Sequence, residues 1–457
     1  MIKKTISLSF VAIFFTSCVS LAPDLKIENE SLIPNQFKNS NNSETLNDTK
    51  PRLEEFIKDE TLKKVVNLAI ENNKDIKIAL LNIDAAKALY RVEESQYYPD
   101  LNANASFTRE QIRNNTIGNT YKVGIGTSFE LDLFGKIKSL NDNALNTFLA
   151  TKYASDATKL SLVSQTIVSW LRLASNLENL KLSKEINKNL EDVYNLINKK
   201  YLAGINSKED VLASFAMLKE SQNEILNFEN QVQKDINALE LILSSKLDIS
   251  LFPKDFKNHE DYLLLVKSSI NSNVLLSRPD IVELEYKLRA KNANIGAARA
   301  AFFPSISLTA STGFASPNLS SLFTSATNIW QFSPSINIPI FNAGENSAKL
   351  DFSKAQKDIA LNEYEKGIQT AFKEVNDALI IRKNISQKQK NQEEMIEALK
   401  QTYNISLNSY KIGYGTYINM LISQRAYINS QKNLIKVYLE ELENKVDLYK
   451  ALGGNLS

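Results

Sequence analysis

The sequence predicts a mostly α-helical chain made of one unit written twice, with a membrane-type β-hairpin in each copy. Three observations predict it. Landmark residues recur in order about two hundred positions apart, runs of strict two-residue alternation interrupt long helical patterns, and helix-breaking residues are scarce for 457 residues.

The recurrence opens with "YYPDLNANASFTRE" at Tyr97–Glu110 and "FFPSISLTASTGF" at Phe302–Phe314, which align Pro99 with Pro304. "FELDLFGKIKSL" aligns with "INIPIFNAGENSAKL" through Phe134 and Phe341. "KKYLAGINSKEDVLAS" aligns with "NSYKIGYGTYINMLIS", pairing Tyr201 with Tyr410, Gly204 with Gly413, Ser207 with Thr416 and Leu212 with Leu421. Order and spacing are both kept, with offsets of 205, 207 and 209. Each copy therefore reads helix, strand, strand, very long helix, glycine turn, long helix.

The strands follow from the alternation. In the first copy Leu101, Ala103, Ala105 and Phe107 alternate with Asn102, Asn104, Ser106 and Thr108; Tyr121, Val123, Ile125, Phe129, Leu131 and Leu133 alternate with Lys122, Gly124, Gly126, Ser128, Glu130 and Asp132. The second copy repeats this with Ile306, Leu308, Ala310 and Phe314, then Trp330, Phe332, Ile336, Ile338 and Ile340. A period of two gives each run one apolar and one polar face. Runs of about ten to thirteen residues suit a tilted strand crossing a bilayer. Tyr97, Tyr98, Phe134, Phe302, Phe303, Trp330 and Phe341 stand at the run ends, as interfacial girdles require. A soluble sandwich face alternates in the same way, but two isolated hairpins in a helical chain are too few for one. Four strands cannot close a barrel, since single-chain barrels begin at about eight, and an open edge in lipid is prohibitive. Several chains must then share one barrel. Three would supply twelve strands around a lumen lined by Asn, Ser, Thr and Glu.

The helices follow from the missing breakers. No proline lies between Pro99 and Pro253 or after Pro339, and Lys136–Ala203 holds neither Gly nor Pro. That run is about 68 residues, or about 100 Å of helix. Leu160, Val163, Ile167, Trp170, Ala174 and Leu177 step by three and four, the seam of a coiled coil. Such a helix is a spacer or the wall of a tube.

Composition excludes several classes. There are 54 basic and 52 acidic residues; without Lys3 and Lys4, which lie in a leader, the two signs balance, which argues against a nucleic-acid partner. The single cysteine, Cys18, and single histidine, His259, leave no internal disulfide, no metal cluster and no acid–base pair, so no metal site, cofactor or catalytic residue is expected. His259, in "KDFKNHEDY", reads as a solvated loop histidine.

The N-terminus "MIKKTISLSFVAIFFTSCVS" has a basic start at Lys3 and Lys4, an apolar run Ile6–Phe15 too short to span a bilayer, and small Ser17 before Cys18. It resembles a bacterial lipoprotein signal, in which the cysteine is lipidated and becomes the first mature residue; an ordinary cleaved signal is the alternative. Phe15 stands where that pattern usually has Leu. Val19 and Ser20 follow, without the Asp that retains such lipoproteins at the inner membrane, so the resemblance favours the outer membrane. Asn29–Pro51, rich in Asn, Ser and Thr, reads as an extended tether.

"LSRPDIVELEYKLRAKNANIGAARAAFFPSISLTASTGF" (Leu276–Phe314), "SYKIGYGTYINMLISQRAY" (Ser409–Tyr427), "KKYLAGINSKEDVLAS" and "AIENNKDIKIALLNIDAAKALYRVEESQYYPDL" together resemble TolC-type outer membrane factors, in particular their lipoprotein branch, across nearly all of Thr61–Leu452. The resemblance implies a homotrimer with a twelve-stranded β-barrel in the outer membrane, continued by a long α-helical periplasmic barrel. It implies as partners a periplasmic adaptor and an inner-membrane RND-type transporter, and outer membrane lipid around the barrel. The division that follows is a signal peptide over 1–17, a lipidated tether over 18–60 and a first repeat over 61–245, with hairpin 100–133 and helical hairpin 136–245. An equatorial segment over 246–277 precedes the second repeat over 278–452, with hairpin 305–341 and helical hairpin 344–452, and a tail over 453–457.

At the periplasmic tips the resemblance places the adaptor contact on Gly204, Asn206, Ser207, Gly413, Gly415 and Thr416. The family often carries Asp where this chain has Ser423, so a constriction would draw on Asp210, Asn419 and Ser423. Asp210 is the acid for such a ring, or an ordinary first-turn carboxylate favoured by the helix dipole. Ser207 and Thr416 read equally as N-caps of the return helices. The function implied is the exit duct of a tripartite multidrug efflux pump. A duct for type I protein secretion and a pore-less coiled-coil lipoprotein are the alternatives.

Overall fold

The computed structural model describes residues 20–26, 37, 50–112, 116–254, 256, 259–266 and 271–456. Cys18 and the signal segment lie outside the described residues. The chain divides into two compact units. The first holds Leu81–Tyr153, Val282–Lys366 and the described residues before Glu28; the second holds Ala154–Ile281, Gly367–Ser457 and the described residues from Phe37 to Leu80.

In chain order the elements are α1 (Glu60–Asn72), α2 (Lys74–Ser95), β1 (Asp100–Ile112), β2 (Thr116–Leu131), α3 (Lys136–Leu202), α4 (Lys208–Leu243), α5 (Pro279–Ala300), β3 (Ser305–Ser316), β4 (Asn328–Asn337), α6 (Glu345–Lys411) and α7 (Tyr417–Ala451). In the helical hairpins the duplication is kept almost to the residue. α3 and α6 each have 67 residues, and α4 and α7 have 36 and 35.

The lead-in to the first repeat is two helices where the sequence pattern read as one. Asn73 breaks it with ψ 135. Its Oδ1 accepts from Asp75 N and Ile76 N, capping α2, and its Nδ2 donates to Ile242 O at 2.8 Å.

In the first unit the strands form one antiparallel sheet in the order β1-β2-β3-β4. The second hairpin is shorter than the alternation suggests. β4 ends at Asn337, opposite Ser305, the first residue of β3. Ile338, Ile340 and Phe341 have no strand partner and are exposed. Pro339 could not donate to a ladder in any case. Below the sheet Phe134 stacks on Phe303 at 4.6 Å. Asp132 accepts from Ile137 N and Lys138 N and so caps α3.

In the second unit α3 is buried more widely than a two-position seam. Leu160, Val163, Ile167, Trp170 and Ala174 are buried as expected, and so are Leu162, Thr166, Leu171, Leu173 and Ser175; Leu177 is half-buried. Chain between α4 and α5 covers part of this stretch at Trp170. Trp170 Nε1 donates to Leu251 O at 3.0 Å, and its ring meets Tyr262 edge-on at 5.2 Å. Each fully buried aliphatic side chain such as Ile167 or Leu171 contributes about 1.5–3 kcal/mol, so this stretch is a true core.

Arg278 ties the second unit together. It is buried, pairs with Asp280 and Glu374 at 2.8 Å each, and donates through Nη1 to Ala451 O at 2.7 Å. That satisfies a last-turn carbonyl of α7 and leaves no unpaired buried charge. Lys50 Nζ donates to Ser277 Oγ at 3.0 Å, and burial, with repulsion from Arg278, pushes its pKa down to about 8.

Two readings are corrected here. His259 is not solvated: it is 3% exposed, stacks on Tyr438 at 4.0 Å and lies 3.4 Å from Glu441 Oε2. Burial pushes the Glu441 carboxyl up, but His259 and Lys445 beside it outweigh that and hold it at about 2. The tether is not wholly unpacked either, because Phe37 is buried against Phe372 at 5.3 Å.

Candidate functional site

Each unit holds one part of the candidate site. In the first it is the sheet. The register places Leu101, Thr127, Ala310 and Phe332 in one row of the apolar face, with Ala103, Ile125, Thr312 and Trp330 in the next. Leu101, Phe107, Ile125, Trp330, Phe332 and Ile336 are all exposed. Exposed apolar area of this extent on one face marks contact with lipid or another chain. The opposite face carries Asn102, Asn104, Ser106, Lys122, Ser128, Thr309 and Ser311 around an open groove of about 390 Å³. Gly124 and Gly313 face each other in its floor. A Cβ at Gly313 would come within 2.2 Å of Val123 O, so only glycine permits this approach of β2 to β3.

In the second unit the site is the pair of turns joining α3 to α4 and α6 to α7. Both end the long helix in the same way. Gly204 N donates to Tyr201 O and Ile205 N to Lys200 O; Gly413 N donates to Tyr410 O and Tyr414 N to Ser409 O. With φ of 73° and 88° the two glycines are left-handed, which makes each turn a Schellman motif. The return helices are capped alike. Ser207 Oγ accepts from Asp210 N at 3.1 Å while Asp210 Oδ2 accepts from Ser207 N at 3.3 Å; Thr416 Oγ1 accepts from Asn419 N at 3.3 Å. Gly415 is tight, since a Cβ there would lie 3.0 Å from Ser409 Cβ.

Sequence reasoning missed what joins the turns. Lys200 Nζ donates to Tyr410 O at 2.9 Å and Lys411 O at 3.3 Å and sits 4.3 Å from the centre of the Tyr410 ring. It thus caps the C-terminus of α6 from α3. Asn206 Nδ2 donates to Tyr410 Oη at 2.6 Å. Beneath them Val193, Ile197, Val211, Tyr410, Tyr417 and Met420 form one buried cluster. The repeat match of Tyr201 with Tyr410 pointed at this place, but no spacing says which lysine would cap which helix.

The residues foreseen for the aperture differ in exposure. Asn419 is exposed, Asp210 half-buried, and Ser423 buried with its hydroxyl donating to Met420 O at 2.9 Å. Burial, then the charge of Asp210 and of Tyr410, pushes Tyr417 up to about 12.

A four-stranded antiparallel sheet with one exposed apolar face and one polar face is the kind of sheet that membrane β-structure uses. Comparison with known proteins agrees. The profile of the family described as "Outer membrane efflux protein" matches twice, over residues 65–245 and 270–454. The solvent efflux pump outer membrane protein SrpC of Pseudomonas putida is 37% identical over 414 residues, 89% of this chain and 88% of its own. The probable outer membrane lipoprotein SilC of Salmonella typhimurium is 33% identical over 458 residues, 99% and 98% of the two chains. The open-state crystal structure of the Neisseria gonorrhoeae MtrE outer membrane channel superposes with a TM-score of 0.86 at 29% identity, covering 96% of this chain and 99% of that one. The chain belongs to the outer membrane efflux protein family, and its place is the outer membrane.

Proposed function

We propose that three copies of this chain close a twelve-stranded barrel in the outer membrane, anchored also by lipid on Cys18, and form the passive exit duct of a tripartite pump for small toxic compounds. The observation that carries this is the sheet itself. It has one apolar and one polar face, and within the chain β1 and β4 are both edges. An unpaired edge cannot be left in hydrocarbon, and β1 of one copy against β4 of the next satisfies both. The polar face then lines the lumen, and the relatives' names supply the cargo class and the pump. The division into leader, tether, two repeats, equatorial segment and tail is retained as part of this reading. The two tip turns, with Gly204, Asn206, Ser207, Gly413, Gly415 and Thr416, are the surface offered to a periplasmic adaptor. Asp210 and Asn419 flank the aperture, with Ser423 packed behind them.

The test is oligomeric state in detergent. Native mass spectrometry of the purified protein is expected to give three copies with intact strand content. A stable monomer that keeps its strands would sink the shared barrel.

A further inference from the structure

Five charged side chains lie on the four strands: Asp100, Arg109, Glu110, Lys122 and Glu130. Strand parity sorts them. Asp100, Glu110, Lys122 and Glu130 fall on the polar face, and Arg109 alone falls on the apolar face, in the series Leu101, Ala103, Ala105, Phe107. Its partner across the ladder is Asn119. One step inward, Phe107 pairs with Tyr121, their rings 4.7 Å apart.

This position has a height. The apolar series on β2 runs from Leu131 to Tyr121, ten residue steps. At about 3.3 Å per step that is about 33 Å along the strand, or about 25 Å of height at a tilt of about 40°, the height of an outer membrane apolar band. Carrying the band on to Ile117 would give about 35 Å, too tall for it. The band therefore ends at Phe107 and Tyr121, an aromatic pair of the kind that marks an interface. Arg109 is exposed just beyond it, at the end of the sheet away from the helices. An arginine facing lipid is strongly unfavourable at midplane and nearly neutral at the interface, where its planar fork suits phosphate.

We propose that Arg109 is a lipid-binding residue that holds a phosphate of an anionic glycolipid headgroup in the outer leaflet, one per copy around the barrel. This rests on the barrel reading above. The guanidinium supplies charge-assisted hydrogen bonds to phosphate oxygens, while the Phe107–Tyr121 pair lies against the first part of the acyl chains.

The test uses the full-length protein in nanodiscs containing bisphosphorylated lipid A, with retained lipid read by native mass spectrometry. Arg109→Gln is expected to lower retention about tenfold, the effect of losing one charge-assisted hydrogen bond. Arg109→Lys should keep part of it, and lipid A stripped of its phosphates should be retained no better by wild type than by the Gln variant. Equal retention by wild type and Gln variant would overturn the proposal. The same samples with brominated acyl chains test the underlying reading separately. Trp330 lies on the apolar face, and Trp170, the other tryptophan, is buried. Quenching of Trp330 with unchanged lipid A retention rejects Arg109 alone. Absence of quenching rejects the membrane-facing sheet, and Arg109 with it.

Discussion

Asp210 serves two ends with one carboxylate. One oxygen closes the capping box with Ser207 N, and the charge lies close enough to Tyr410 and Tyr417 to raise both phenols, after burial. Asp210→Asn can still accept from Ser207 N, so the helix start should hold while the charge goes. Single-channel recordings are expected to show weaker cation preference, and unchanged preference would leave Asp210 an ordinary cap. Ser423 behaves differently. It is 6% exposed and its hydroxyl serves Met420 O. A carboxylate placed there by Ser423→Asp would be buried in place of a satisfied hydroxyl, a change that destabilises by several kcal/mol. A drop in melting temperature is therefore expected before any gain in selectivity. Burial separates the two positions, Asp210 half-buried and Ser423 buried.

The tip turns show what was legible at the scale of elements. Glycine after a long helical run, followed three residues later by Ser or Thr, specified the helix end, the turn and the cap at both sites, and the structure has all three. Other boundaries were less legible. Asn73 splits the lead-in helix because its side chain reaches Ile242 O, 169 residues on. β4 stops at Asn337 because β3 begins at Ser305, although the alternation continues to Ile340. Both depend on a partner distant in sequence, which local periodicity does not contain. The turns also yield a prediction. At Gly413 a Cβ would meet nothing within 4 Å, so bulk is tolerated and only the φ of 88° resists it. Gly413→Leu should then cost about 1–2 kcal/mol locally while leaving trimer and membrane amounts near normal. If the two turns meet the adaptor, co-purification with it and drug resistance both fall. Normal resistance with an unchanged adaptor complex would move the contact elsewhere.

For the whole molecule, duplication was the most legible property, because a repeat carries its own control: one copy predicts the other. What the repeat could not reveal is where the copies differ, and the segment 246–277 is such a place. His259 sits there in a polar stretch with no periodicity, and its burial comes from Tyr438 and Glu441 on α7. The N-terminal segment is another. After Cys18 the chain is held on the first unit by Ser20 Oγ to Ser139 Oγ at 3.3 Å, Arg299 Nη1 to Leu21 O at 3.0 Å and Asn292 Nδ2 to Pro23 O at 2.8 Å. Gly296 makes room for it, since a Cβ there would lie 2.8 Å from Ala22 N. A lipid on Cys18 would thus begin two residues from a fixed point on the protein. Acyl chains would contribute about 0.8 kcal/mol per buried CH₂, whereas the sheet offers its own apolar face, so the two anchors of the proposed reading would act independently. Cys18→Ala is expected to abolish acyl labelling yet leave trimers in the outer membrane fraction, with the segment from Ser20 still bound. Labelling that survives the substitution would show that Cys18 is not the acylated residue, and loss of trimers from the membrane would show that the sheet does not insert without the lipid.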